Sequence, residues 1–396
     1  ARPDTRHFRH HRLNPLPLDL VAVDEASMVD IDMMAALLDA LPPQARLVLL
    51  GDKDQLASVE AGAVLGNLCA RAEGGHYREK VARWLEAATG VPLPASLQDG
   101  DGQPLDQSIA MLRHSFRFDD KSGIGQLAKA INAGDSTQAL KVLDDSAYPD
   151  VQRIALPRSG SSRAERRLLP LALEGRGAEN AWGYRLYLNA IQPRPDSPES
   201  QTLAAEEHLL PRPAIGASKA DWDRWAAGIL KAHTQFQLLT PLRNGHHGVE
   251  ALNQRIEQAL ARAGLIDKPD PATHWYEGRP VLVTGNDYAL KLMNGDIGIA
   301  LEVPVEFGSA DAGTTLRVAF PAGDGQGGIR WVLPSRLQQI ETVFAMTVHK
   351  SQGSEFAHTA LVMPDTLSPV LTRELVYTAV TRAKKSFTLL SASDGV

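Results

Sequence analysis

Asp24 and Glu25 stand side by side directly after Leu18-Asp19-Leu20-Val21-Ala22-Val23, a short apolar run. Two adjacent carboxylates at the end of a buried strand repel one another unless a cation shares the site. A magnesium–nucleotide complex supplies that cation. Asp24 suits Mg2+, usually through water, because the ion keeps much of its hydration shell. Glu25 suits a general base that orients and deprotonates an attacking water. Taken alone, the pair fits a solvated turn better. Gly51-Asp52-Lys53-Asp54-Gln55 ends the next apolar run and can reach the same sheet edge. Gln55 could hydrogen-bond a γ-phosphate or the attacking water there, and by itself it is equally a surface amide on a tight turn.

Three further groups carry chemistry. Arg113, His114, Ser115, Phe116 and Arg117 precede a helical stretch over Gly123–Gly134, and Arg382 follows Arg373 and Tyr377 on a late helix read over Thr372–Lys385. A planar guanidinium suits the spread charge of a transferring phosphoryl group, although each arginine singly reads as a surface ion pair. Thr347-Val348-His349-Lys350-Ser351-Gln352-Gly353 offers hydroxyl, imidazole, ammonium and amide groups and a close backbone approach at Gly353. Such groups fix a nucleic-acid backbone without reading bases. The same run is also an ordinary polar loop with a tight turn.

The elements that must position these residues alternate. Leu18–Val23 and Arg46–Leu50 read as strands buried on both faces. Between them Asp30 caps a helix over Ile31–Leu41 with the stripe Ile31, Met34, Leu38 and Leu41, stopped by Pro42-Pro43. Strand, helix, strand at this spacing is a right-handed crossover onto a parallel sheet. Ligands in such sheets bind outside the carboxyl ends of the strands. Residues 71–110 are mixed, and a boundary falls there. A second α/β region starts near Leu112, with a helical stripe Ile124, Leu127, Ala128, Ile131, a strand Phe236–Thr240 and a helix stripe Val249, Leu252, Ile256, Leu260. Residues 157–216 show few clean periods. From about Pro280 the period becomes two: Val281–Val283, Ile297–Val305, Thr315–Phe320 and Ile329–Leu333 are short strands, and Asn294-Gly295 signals a hairpin. A small antiparallel barrel of about 60 residues fits. Val343–Val348, Thr359–Met363 and Phe387–Leu390 then restore the α/β pattern.

Composition bounds the answer. The 396 residues are 43% apolar and 22% charged, so wholesale disorder and fibre are excluded and about two or three domains are expected. A formal charge of −6 argues against a binder held to DNA by bulk positive charge, not against a local basic groove. No apolar run of about 18 residues predicts a membrane span. The N-terminal ARPDTRHFRHH lacks the apolar core of a secretion signal. It reads as a basic arm; metal binding by His7, His10 and His11 is the weaker alternative. Cys69 is the one cysteine, so no intrachain disulfide can form, and the natural compartment is a reducing cytoplasm.

Taken together, VDEAS at 23–27, GDKDQL at 51–56, SFRF at 115–118, TVHKSQGSEF at 347–356 and ELVYTAVTRAKK at 374–385 resemble motifs II to VI of superfamily 1 helicases, in order. The long forms, GDKDQLASVEAGAVLGNLC among them, are most similar to the RecD helicases, the alpha subunits of exodeoxyribonuclease V. The resemblance implies two RecA-like parallel-sheet motor domains, the first incomplete, with a small SH3-like β-barrel insertion. On this basis residues 1–105 hold the end of the first motor domain. Residues 106–274 and 341–396 hold the second, and 275–340 the insertion. It implies ATP and Mg2+ as cofactors. Asp24 is then the magnesium acid, Glu25 the catalytic base, Gln55 the γ-phosphate sensor, and Arg117 and Arg382 arginine fingers. Glu355 meets the nucleotide sugar beside Gly353, and Thr347, His349 and Lys350 touch single-stranded DNA. It further implies 5′→3′ travel along DNA at duplex ends, in a complex with beta and gamma subunits that acts in break repair and recombination.

One departure follows. The phosphate loop G-x-x-x-x-G-K-[ST] does not occur in the 396 residues. In the family it precedes motif II, so the chain reads as a helicase from just before that motif onward. The polypeptide alone is therefore expected to bind and turn over ATP poorly. Two other classes compete with a motor. One is a non-enzymatic DNA-binding and docking module. The other is a nuclease built on Asp24, Glu25, Asp52 and Asp54 about metal ions, an activity the family places in a partner subunit.

Overall fold

The computed structural model describes residues 8–56, 64–118, 121–157, 162–176, 182–191, 209–267, 274–311, 313–323, 327–365 and 368–392. His7 of the arm lies outside them. The chain forms two compact units, Ala1–Asp119 and Asp120–Val396. Among the described residues no helix is long and apolar enough to cross a membrane.

In the first unit β1 (Leu20–Val23) and β2 (Arg46–Leu49) pair in parallel, Val23 opposite Leu49, joined through α1 (Ile31–Ala40). Asp30 caps α1 as its position requires, its Oδ1 accepting from the Met33 N–H at 2.7 Å. Two short helical stretches follow, α2 (Val64–Leu68) and α3 (Glu79–Thr89). The strands are not buried on both faces as their apolar runs predict. Leu20 is 54% and Val48 40% exposed, and in α1 only Met34 of the expected stripe is fully buried, while Ile31 is 58% exposed. A ladder of two strands has two open edges and too little covering surface among the described residues. Apolar runs record what a strand is able to bury, not what lies over it.

The second unit is built on a five-stranded, wholly parallel sheet. Its chain-order elements are α4 (Gly123–Asn132), α5 (Ser136–Asp144), β3 (Val151–Leu156), α6 (Ser162–Glu174), α7 (Arg185–Ile191), α8 (Lys219–His233), β4 (Phe236–Thr240) and α9 (Val249–Arg262). An antiparallel sheet of β5 (Pro280–Val283), β6 (Ile297–Pro304), β7 (Thr314–Pro321), β8 (Ile329–Val332) and β9 (Ile340–Thr342) interrupts it. The parallel sheet resumes with β10 (Ala345–Thr347), β11 (Phe356–Val362), α10 (Arg373–Thr381) and β12 (Ala383–Ala392). The strand orders are β10-β4-β11-β12-β3 and, in the insertion, β8-β7-β6-β5-β9. In the latter, β8 and β9 stand at the two ends of the described ladder.

Here the sequence patterns bury as read. Ile124 and Leu127 of α4, all of β4, and Leu252, Ile256 and Leu260 of α9 are closed off from solvent. They join a core holding Trp222 and Trp225, whose rings meet edge to face at 5.3 Å. Gly134, at φ +70°, ends α4 in the left-handed conformation a glycine adopts without strain. The edge strand β10 is sealed by a side chain: Asn253 of α9 donates to Ala345 O (3.0 Å) and accepts from Ala345 N (2.8 Å). The late helix is shorter than expected. It stops at Thr381, Arg382 caps it, and β12 begins at once.

Candidate functional site

The acidic turn and the amide turn share one edge of the first unit. Because β1 and β2 run in parallel, both release their polar residues at the same carboxyl edge. The turns are stitched: Leu50 N donates to Val23 O, and Ala26 N to Leu50 O, each at 2.8 Å. Gly51 allows the contact. A Cβ there would lie 3.1 Å from the backbone nitrogens of Ala26 and Ser27 and 2.8 Å from Leu65 Cδ2. Glu25 sits at φ 51°, ψ 41°, left-handed backbone that a non-glycine residue adopts only under constraint. That conformation follows Asp24, whose Oδ1 accepts from Glu25 N (2.9 Å), and precedes a single turn over Ala26–Met28. The Glu25 carboxylate has no hydrogen bond or ion pair among the described residues. Asp52 organises the second turn, accepting from Asp54 N (3.0 Å) and from Gln55 Nε2 (3.2 Å), while Lys53 pairs with Asp54 (2.7 Å). Arg117 is in this unit as well, exposed, its guanidinium 5.7 Å from the Phe118 ring centre.

In the second unit the predicted residues divide between opposite edges of the parallel sheet. Thr347 ends β10 opposite Thr240 at the end of β4, so their following loops lie side by side at the carboxyl edge. Lys350 N donates to Thr347 Oγ1 (3.3 Å), and both residues line one small cleft with Arg243. Burial pushes the His349 imidazole below its ordinary pKa, so it is neutral at pH 7. Gly353 has φ 75° with open space where a Cβ would stand. The chain then crosses to the amino edge, where Glu355 pairs with Lys384 (2.8 Å). Arg382 is there too, only 4% exposed. Its Nη1 donates to Ser354 O (3.2 Å) and its Nε to Thr378 O (3.3 Å). Arg382 and Glu355 are therefore neighbours, and Thr347 and Lys350 form a separate group. Arg373 donates to Asn132 O (3.1 Å), tying α10 to the end of α4.

Two features went unread in the sequence. Ser27 is buried, and its hydroxyl has no hydrogen-bond partner among the described residues. It lies on the backbone that contacts Gly51, an orphaned polar atom at the edge where a ligand would bind. The second is the loop after β4, Pro241-Leu242-Arg243-Asn244-Gly245-His246-His247-Gly248. Arg243 pairs there with Glu341, Thr240 Oγ1 donates to His247 O (2.6 Å), and His247 faces Asp365 at 3.8 Å. The signal was available: a polar Gly-containing loop between a fully buried strand and an amphipathic helix, at a carboxyl edge.

No group of three His, Cys, Asp or Glu side chains that could hold a metal unaided exists among the described residues. Asp24 is exposed and has one oxygen beyond the one used by Glu25 N. That donor set fits an ion held through water and phosphate oxygens, as Mg2+ prefers.

The fold is that of a mixed α/β protein built on parallel sheets. Residues 5–106 match the AAA domain, and residues 342–390 the UvrD-like helicase C-terminal domain. More particularly, the chain is a homologue of RecD over its whole length. It is 37% identical to the RecBCD enzyme subunit RecD of Haemophilus influenzae over 97% of this chain and 52% of that protein. It is 36% identical to that of Mycobacterium tuberculosis strain H37Rv over 100% and 53%. The ATP-dependent RecD2 DNA helicase of Deinococcus radiodurans is 26% identical over 96% and 37%. The chain thus spans about half the length of the curated RecD relatives it matches.

Proposed function

We propose that this chain is the motor part of an ATP-dependent DNA helicase subunit that travels 5′→3′ at DNA ends within an exodeoxyribonuclease V complex, in double-strand break repair and recombination. The observation that carries the reading is the stitched edge of the first unit, where Glu25 is held in left-handed backbone against the Gln55 turn. Strain kept at a polar, solvent-facing edge is the signature of a site and not of a packing need. Kinship with RecD supports ATP and Mg2+ as cofactors and the beta and gamma subunits as partners, with single-stranded and duplex-end DNA as the track, in the cytoplasm. The antiparallel sheet Pro280–Thr342 is read as the family's SH3-like insertion.

Glu25, half-buried at this edge, takes the proton from the attacking water, and Gln55 orients that water or senses the γ-phosphate. Asp24 would hold Mg2+, which would neutralise phosphate charge. Arg117 and Arg382 answer the charge of the transferring phosphoryl group. For Arg382 this requires giving up its bonds to Ser354 O and Thr378 O for a phosphate, whose negative charge a guanidinium can meet with two parallel N–H donors. Glu355 serves the sugar beside Gly353, and Thr347, His349 and Lys350 hold the DNA backbone.

The test is Glu25→Gln in the full-length subunit. ATP turnover should fall at least a hundredfold while ATP and DNA binding stay within about threefold. Turnover retained at the wild-type rate removes Glu25 as the base. The isolated 396 residues, without a phosphate loop, should hydrolyse ATP at a small fraction of the full-length rate.

A further inference from the structure

The antiparallel sheet carries a cleft of about 510 Å³ between the β7–β8 edge and the loop at 289–291. Its charged lining is wholly cationic: Lys291, Arg317, Arg330 and Arg336, with Trp331 beside them and no carboxylate among the described lining residues. In a chain of net charge −6 this is a local reversal of sign. Like charges gathered in a concave site repel and lose hydration, a cost that an anion removes.

Each cation is placed differently. Arg330 donates to the carbonyl oxygens of Lys291 and Ala322, so it braces the wall. Arg317 donates to Val305 O (2.7 Å) and lies over the Phe307 ring, leaving its Nε buried with no partner among the described residues. A buried guanidinium N–H without an acceptor costs free energy unless a ligand supplies one. Arg336 is exposed, and Lys291 is exposed in left-handed backbone at φ 53° where glycine would be less strained. Trp331 is fixed by its indole N–H, which donates to Asp223 Oδ1 (2.7 Å).

We propose that this cleft is a phosphate-binding site, taking either the backbone phosphate of a polynucleotide or a free or mononucleotide phosphate. Arg336 and Lys291 supply charge at the mouth, and Arg317 and Arg330 line the wall with further positive charge. The site uses none of the residues assigned to ATP hydrolysis or to the Thr347–Lys350 contact, so it stands apart from that reading.

The test uses the 396-residue chain, with inorganic phosphate followed by 31P NMR line broadening and a fluorescent dT20 followed by anisotropy. The variants are Arg336→Glu, Lys291→Gly, whose backbone suits glycine, and Lys141→Glu, an exposed charge change on α5 away from the cleft. The cleft variants should abolish phosphate broadening or weaken dT20 binding at least fivefold, the latter with a salt slope smaller by about one to two. Lys141→Glu should do neither. Loss in the dT20 arm assigns the site to a polynucleotide; loss of phosphate binding alone assigns it to small phosphates. If neither arm responds to the cleft variants, or Lys141→Glu lowers both as much, the proposal falls.

Discussion

Glu25 is where chemistry and backbone conflict. A side chain with a Cβ in left-handed backbone costs of order 1–2 kcal/mol. Asparagine accepts this conformation more readily because its short side chain bonds locally. Glu25→Asn should therefore raise the stability of the first unit by about 0.5–1 kcal/mol while removing the proposed base. Hydrogen exchange of the β1 and β2 amides checks the first half, and ATP turnover of the full-length variant the second. Faster exchange in the variant would mean that the left-handed turn is held by something the glutamate itself contributes. Gly51 makes the complementary case. Alanine there puts its Cβ within 3.1 Å of two backbone nitrogens, which cannot retreat as a flexible side chain can. The acidic turn must move, so Gly51→Ala should lower turnover of the full-length subunit at least tenfold with no charge altered.

The parallel sheet of the second unit buries histidine as well as leucine. His233 ends α8 against Tyr184, their rings stacked at 5.8 Å, and His358 lies in β11 with its Nε2 2.9 Å from Thr388 Oγ1. Burial alone lowers the His233 pKa to about 4. Burial first, and then the positive charge of Arg176, lowers that of His358 to about 3. Both are neutral when folded and protonate near pH 6.5 when unfolded. Between those values the unfolded chain binds more protons, so stability rises with pH and is lost as pH falls below about 6.5. The slope is about 1.4 kcal/mol per pH unit for each histidine. Urea unfolding of the chain from pH 7 to 4.5 should show that slope for both, and His358→Gln should flatten it by about half. An unchanged slope would place the acid sensitivity elsewhere. These two positions also mark what a sequence discloses. β4 and the stripes of α4 and α9 were legible because burial there is uniform and apolar. A histidine inside a strand looks polar, and its place in the sheet is fixed by neighbours 30 and more residues away. Arg382 was misplaced on a helix face for a related reason: α10 and β12 abut with no loop, and the helical period does not say where the turn of chain falls. The loop after β4 was legible in type but overlooked, because its arginine finds its partner, Glu341, nearly a hundred residues later.

The two units differ in how far each satisfies its own sequence. In the second, every strand of the parallel sheet except edge β10 and β3 is flanked on both sides, and its core unites residues from Leu156 to Leu390. In the first, two parallel strands leave Leu20, Ile31, Leu38, Val48 and Leu50 between 40% and 58% exposed, all positions whose apolar character predicts burial. Fully burying a side chain of this kind contributes about 1.5–3 kcal/mol, so the described first unit forgoes several such contributions. It is therefore the less stable part of the molecule. Native-state hydrogen exchange of the 396-residue chain should show it directly: amides of β1, α1 and β2 exchanging through openings of low free energy, and those of β4, β11 and β12 only through global unfolding. Covering the exposed strands should then protect β1 and β2 selectively. Adding the remaining sequence of a full-length subunit is the natural way to cover them, and the gain should appear at Ala22, Val23 and Leu49, beside Asp24 and Glu25. Equal protection of both units in the 396-residue chain would show that exposed apolar strands here cost nothing, and that the edge holding Glu25 is rigid without further covering.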